Sequence, residues 1–240
     1  VDALQLFDSH GGHLSATEFP EASGRWMREI ISALRTPRSA LPLIVFSLGT
    51  HDNWSDLVGT GADVLGIDWR FSLAEARSRL GVLYAWSGRY EEGIAEAERG
   101  VELDPNSAVA NFYLAQVLRY AGNSKEAIPL IQKALRLEPI APDSYVQNLA
   151  LVYCQTGDCR EALAACDKGL KRQPDNLNSH VIMAAVYGSC GREKEARKEA
   201  TEVLRINPKF TVESYTRNLP YKNPSDRDRT TQGLRKAGLP

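Results

Sequence analysis

Nowhere in the 240 residues do eighteen apolar positions follow one another, so no segment reads as a membrane-crossing helix. An excess of one charge is missing too. With 29 basic and 30 acidic side chains the net charge is -1, which leaves no electrostatic footprint for nucleic acid or an anionic membrane. The chain begins at Val1 rather than methionine, and its opening residues hold neither a basic region nor a cleavage signal, so a fragment, a processed product or a chimera is expected. Cysteine is scarce, and Cys154, Cys159, Cys166 and Cys190 lack Cys-x-x-Cys spacing. Neither zinc nor a disulfide framework is expected from them; they read as small buried thiols in a reducing cytoplasm. His10, His13 and Asp8 share a Gly-rich loop without a supporting pattern for a metal, and Gly59-Thr60-Gly61 lacks the Lys-Ser/Thr ending of a phosphate loop. No metal, cofactor or nucleic acid is therefore expected, and a protein or peptide must be recognised through shape.

What the sequence does contain is a period. Gly88, Gly122, Gly157 and Gly191 are spaced 34, 35 and 34 residues apart, and Pro105, Pro139, Pro174 and Pro208 keep the same intervals. Two independent punctuators in one register dictate a repeat architecture. Before each glycine runs one apolar helical pattern: Leu80, Gly81 and Tyr84; Leu114, Ala115 and Leu118; Leu149, Ala150 and Tyr153; Met183, Ala184 and Tyr187. After it runs a second, carried by Ile94 and Ala97, Ala127 and Ile131, Ala162 and Cys166, and Ala196 and Ala200, which proline then ends. Small residues let the paired helices approach, and no pair buries its stripe alone, so the pairs must stack. Gly93, Gly100 and Gly169 stand where alanine is expected, and each should weaken its helix by about 1 kcal/mol.

This pattern resembles the tetratricopeptide family. The resemblance implies a mainly α fold, an α-α superhelix of four repeats over residues 73–210, with capping helices over 211–240. There Val212 to Arg217 reads as a short helix stopped by Pro220, and Ser225 as the cap of another running to about Lys236. Asn218-Leu219-Pro220-Tyr221-Lys222 and the closing Gly233 to Pro240 also resemble the end of repeat regions attached to class III adenylate cyclases. In the tetratricopeptide family the first helix of each repeat lines the concave face. That implies a groove of Val82 and Trp86, then Phe112, Gln116, Arg119 and Tyr120, then Gln147, Leu151 and Gln155. Its aromatic and amide character suits an apolar or amphipathic helix of a partner better than a terminal carboxylate, because Ser78 and Val82 fill the leading slots of the usual Lys and Asn clamp.

Residues 1–72 differ in character, with five arginines in residues 1–73, no lysine and nine acids. Short apolar runs at Ala3 to Phe7, Leu43 to Phe46 and Val64 to Ile67 read as parallel strands, separated by helices from about Phe19 to Leu34 and Trp54 to Thr60. The words Leu4-Gln5-Leu6-Phe7-Asp8-Ser9-His10-Gly11-Gly12-His13, Ile44-Val45-Phe46 and Gly61-Ala62-Asp63-Val64-Leu65-Gly66-Ile67-Asp68-Trp69 resemble uroporphyrinogen decarboxylase, an enzyme of porphyrin biosynthesis. The resemblance implies a small α/β fragment of a TIM-barrel type, with Asp8, Ser9 and His10, Gly49 to His51 and Asp68 at the strand ends, where such barrels work. It also implies that Ser9 bonds a substrate propionate. The family's arginine-rich loop, catalytic aspartate and Gly-His-Gly loop have no counterpart, so a truncated, inactive relative is expected. Leu80 and Gly81 serve both patterns, so one helix joins the parts. The open sheet is expected to expose Phe7, Val45, Phe46 and Ile67 and to favour homo-oligomers.

Overall fold

The computed structural model describes residues 3–35, 41–50, 52–66, 72–169 and 176–240. His51, Ile67, Asp68, Trp69 and Pro174, each used above, lie outside the described residues. The chain divides into two units, Val1–Ala76 and Arg77–Pro240.

In the first unit, β1 (Leu4–Asp8), β2 (Leu43–Ser47) and β3 (Val64–Gly66) lie parallel in that order. Leu4 pairs with Leu43, Phe7 with Phe46, Asp8 with Ser47 and Ile44 with Val64. Side chains alternate between the faces of a strand, so Leu43 and Val45 point one way and Phe46 with its partner Phe7 the other. The first face is covered by α1 (Arg25–Leu34), whose Met27 and Ile31, one turn apart, close a buried cluster with Phe19, Leu43, Val45 and Leu57. Leu57 comes from α2 (Trp54–Val58). The expectation of an exposed Val45 is thereby corrected: it is 1% exposed under α1, whereas Phe7 is 61% exposed and stacks on Phe46 at 4.9 Å. A capping box starts the helical segment. Ser15 N–H donates to Glu18 at 2.9 Å, Glu18 N–H donates back to Ser15 Oγ at 3.3 Å, and a π turn at Pro20–Gly24 leads into α1. Beyond α1, Arg35 donates to Asp63 at 2.8 Å, and Asp63 accepts the Leu43 N–H at 2.8 Å, tying the helix end to the start of the sheet.

The second unit is built of antiparallel helix pairs. Helix α3 (Leu73–Trp86) carries the chain across the unit boundary and pairs with α4 (Tyr90–Leu103). Then come α5 (Ala108–Ala121) with α6 (Ser124–Leu137), α7 (Asp143–Thr156) with α8 (Cys159–Gly169), and α9 (Leu177–Ser189) with α10 (Glu193–Ile206). The four periodic glycines all take positive φ, 92° at Gly122 for example, which a side chain would strain. The residue after each one closes the helix with a bond back five positions: Arg89 to Tyr84, Asn123 to Leu118, Asp158 to Tyr153 and Arg192 to Tyr187. These carbonyls belong to the same Leu/Tyr slot of the repeat. Gly93 also has a reason. A Cβ there would meet the Gly81 carbonyl oxygen at 2.6 Å, so its helix-weakening glycine permits the tightest approach of α3 and α4.

Two expectations about this unit are corrected. Cys159 and Cys190 form a disulfide, with Cα atoms 5.4 Å apart, while Cys154 and Cys166 stay free and buried. The pair is 31 residues apart, close to one repeat, so stacking brings the start of α8 beside the end of α9 although no local spacing announces it. Burial raises both free thiols, Cys166 to about 12, which keeps them as inert core groups. The second correction concerns the tail, which forms α11 (Val212–Arg217) and α12 (Pro224–Lys236). Ser225 lies inside α12, because Pro224 occupies the first helical position and Asn223 becomes the cap residue. Leu234, Ala237 and Leu239 are buried with Val181, Val203 and Phe210, and the Val212 N–H donates to the Pro240 carbonyl at 2.6 Å. Where α12 crosses α9, a Cβ on Gly188 would stand 2.1 Å from the Gly233 oxygen, and one on Gly233 would stand 2.2 Å from the Ala185 oxygen.

Candidate functional site

The loop after β1 is organised around Asp8. Its carboxylate accepts from Ser23 Oγ at 2.6 Å, Ser47 Oγ at 3.0 Å and the His10 N–H at 3.0 Å. Ser9 is left exposed, sharing a hydrogen with His10 Nδ1 at 3.0 Å. Burial works to raise the Asp8 carboxyl, but bonds from Ser23, the His10 N–H, Ser47 and the Gly11 N–H outweigh it and hold it below its ordinary value of 3.8. A depressed folded value means that the stabilisation is fully present above the unfolded value and is lost as pH falls through the folded one. Asp8→Asn is expected to lower the amide-exchange protection of β1 and β2 at neutral pH by about 1–2 kcal/mol. It should also remove the acid step in protection expected of the wild-type chain below pH 3.8. Equal acid profiles for the two chains would show that this network does not hold the loop. Among the described residues no three His, Cys, Asp or Glu side chains converge as a metal site.

The first helices of the repeats meet at a cavity of about 210 Å³. Trp86 from α3, Gln116, Arg119 and Tyr120 from α5, and Leu151 from α7 line it, five of the nine groove residues expected from the sequence. Trp86 is 52% exposed and stands edge-on to Tyr120 at 6.3 Å, whereas Arg119 and Tyr120 are buried. The other four residues lie elsewhere. Phe112 is buried and stacks on Tyr145 at 4.1 Å between adjacent repeats, so it packs repeats together rather than facing the cavity. Gln147 is buried and donates to Ser179 Oγ at 2.5 Å. Gln155 accepts from Ser124 Oγ at 3.0 Å and borders a separate cleft with Asn123, Asn223 and Asp226. Val82 is half-buried against the core of the first two repeats.

The rest of the wall was not visible in the sequence. Asn148, Asn178, Val181, Ile182 and Ala185 supply it from α7 and α9, and the tail adds Tyr215, Leu219, Tyr221 and Thr230. The tail thus folds back along the first-helix face. Lys222 N–H donates to the Tyr120 carbonyl at 2.9 Å, and its ammonium pairs with Glu91. Further on, Arg229 donates to the Cys154 carbonyl at 2.8 Å and also to that of Gln155, meeting the unsatisfied end of α7 with a cation.

Arg119 lies at the centre of this contact. Its Nη1 donates to Tyr221 Oη at 2.6 Å, and its guanidinium carbon stands 4.3 Å from the Tyr120 ring centre and 5.3 Å from that of Tyr221. Its Nε has no partner among the described residues. Burial raises the Tyr120 and Tyr215 phenols, so both are neutral beside the cation and supply no counter-charge. Asp226 feels Arg119, but burial raises that carboxyl, and no described carboxylate forms an ion pair with the guanidinium.

Comparison with known proteins divides the chain at α3. Residues 1–89 match the family model described as uroporphyrinogen decarboxylase, and residues 79–145 match the one described as tetratricopeptide repeat. Uroporphyrinogen decarboxylase 2, chloroplastic, of Arabidopsis thaliana is 36% identical over 94 residues, which cover 39% of this chain and 24% of that protein. The chain therefore spans about a quarter of the length of such relatives. Among solved structures, the type IV pilus biogenesis factor PilW superposes with a TM-score of 0.53 at 17% identity, over 70% of this chain and 79% of that one. A chain of an APC/C hetero-tetramer gives 0.55 at 17% identity, over 79% of this chain and 33% of its own. The helical unit has the tetratricopeptide fold, and the N-terminal unit is similar to a part of the decarboxylase.

Proposed function

We propose that the chain is a protein-interaction scaffold whose first-helix face receives a short segment of a partner polypeptide around Trp86, Gln116, Arg119 and Leu151. The observation that carries this reading is Trp86, an aromatic side chain 52% exposed at the rim of a cavity in which Tyr120 and Tyr221 are buried. Aromatic and arginine side chains in one desolvated pocket are the usual anchors of an interface. At about 210 Å³ the cavity is smaller than the roughly 300–1,000 Å³ of sites for drug-sized molecules, so it suits one or two partner side chains. A whole helix would need the tail to move.

Trp86→Ala and Gln116→Ala test the reading, because both residues lie on accessible parts of the wall. A peptide selected from a displayed library against the whole chain is expected to lose tenfold or more in affinity to Trp86→Ala, about 1.4 kcal/mol, with an unchanged melting temperature. Affinity that survives both changes would overturn it.

The N-terminal unit is read as an accessory to this scaffold. Porphyrinogen chemistry belongs to relatives of which this chain matches about a quarter, and Ser9 alone would supply a single propionate contact. Exposed Phe7, stacked on the half-buried Phe46, is read as a point of self-association between copies. Light scattering at tens of micromolar is expected to show dimers or larger species that Phe7→Ser returns to monomer; a wild-type monomer would set this aside.

A further inference from the structure

The buried guanidinium of Arg119 is an acceptor site without an acceptor. An arginine side chain offers five N–H donors. It donates to Tyr221 Oη and also interacts with the neighbouring Tyr120 phenol, although Arg119 is only 4% exposed. Its Nε is buried and has no partner among the described residues. The ring faces of Tyr120 and Tyr221 flank the group and compensate part of its lost hydration, but they cannot fill the in-plane donor positions. A buried cation with idle donors is costly unless an acceptor reaches it. The cavity beside it has amides, aromatic rings and aliphatic walls and no carboxylate.

We propose that Arg119 is the receptor for a carboxylate carried by a bound partner, an acidic side chain that enters past Trp86 and takes the free edge of the guanidinium. Planar, two-point pairing is what an arginine fork gives a carboxylate and a lysine does not. The Tyr221 hydroxyl then acts as a place-holder on Nη1, supplied by the chain's own tail. This deepens the interaction reading above and rests on it. It also changes the expected chemistry of the groove, from purely apolar or amphipathic to one apolar anchor at Trp86 with an acid beside it.

The test uses the whole chain and sodium acetate as the probe. Arginine side-chain proton–nitrogen NMR is followed during titration with acetate against chloride at constant ionic strength, the Arg119 signal being assigned from its loss in Arg119→Lys. A saturable shift of Arg119, larger than that of any other arginine, is expected. Tyr221→Phe keeps the ring and removes the hydroxyl, and should lower the half-saturating acetate concentration several-fold. It also serves for assignment if Arg119→Lys does not fold. An Arg119 signal that moves no more than the exposed arginines would overturn the proposal and leave water as the occupant.

A selected peptide separates the sources of the carboxylate. Replacing its Asp or Glu by the amide should cost tenfold or more, while amidating its C-terminus should cost little; the reverse order would overturn the side-chain assignment. Peptide binding indifferent to both changes would sink this inference and leave the scaffold reading standing. A saturable acetate shift in a chain that captures no peptide would do the opposite.

Discussion

Replacing Gly233 by leucine is expected to release α12 from α9 and cost the helical unit about 3 kcal/mol or more. On exposed helix, glycine to any straight-chain residue should gain about 1 kcal/mol in propensity. Here that gain is outweighed by contact. A Cβ at this position stands 2.2 Å from the Ala185 carbonyl oxygen and 2.4 Å from Ser189 Oγ. The hydroxyl could rotate away, but the carbonyl belongs to the backbone of α9 and cannot. Overpacking a close contact typically costs about 1–3 kcal/mol when side chains can shift, and more when a backbone must. Moving α12 also uncovers Leu234, Ala237 and Leu239, which are buried with α9 and α10. Denaturant unfolding and limited proteolysis between residues 218 and 240 measure the effect. Wild-type stability and resistance in Gly233→Leu would show that α12 is not held by this crossing, and Gly188→Leu offers an independent repeat from the other helix.

Reducing the Cys159–Cys190 bond, or changing Cys190 to serine, is expected to cost about 3.5 kcal/mol. The estimate rests on the 31-residue separation, which removes loop entropy from the unfolded chain by about that amount. The loss should appear as a lower denaturant midpoint that depends on dithiothreitol in the wild type and not in Cys190→Ser. Cys154 and Cys166 contribute nothing to the difference, since both are buried thiols raised by burial. Identical midpoints with and without reductant would show that the bond brings no net stability.

The parts of this structure that were legible in the sequence are those whose causes lie within one repeat. A glycine that must take positive φ, a Leu or Tyr whose carbonyl closes the helix, and a proline that ends the next one recur at a fixed spacing, and reading them needs no knowledge of distant contacts. The strands of the first unit were legible for the same reason, through short apolar runs. Which side of a strand faces the helix was not, and Val45 was misplaced because parity decides its face. Of the nine residues expected of a groove, five line one cavity. The family resemblance, applied to the helical pattern, placed Trp86, Gln116, Arg119, Tyr120 and Leu151 on one side, but it could not tell Phe112, which packs between repeats, from its neighbours. What the sequence hid altogether joins residues far apart: Arg119 to Tyr221 across 102 positions, and Cys159 to Cys190 across a repeat boundary. Ser225 misled because a serine before a helix-forming run looks like a cap, and Pro224 takes the first helical position ahead of it.

The path of α12 has a consequence for how such a chain can change over generations. The segment leaves Lys222 at Glu91 and Tyr120, places Asn223 at the Gly122 turn, passes Arg229 over the end of α7 and reaches α9 at Gly233. Its length is thus a ruler for the distance from the first helix pairs to the last. A duplication that inserted one more pair of helices between α5 and α9 would move these landing points apart, and the tail could keep its grip on one end alone. Gain or loss of a repeat, the easiest mutation for a tandem gene, would here require a matching change in the tail, so the repeat number and the tail length must be inherited together.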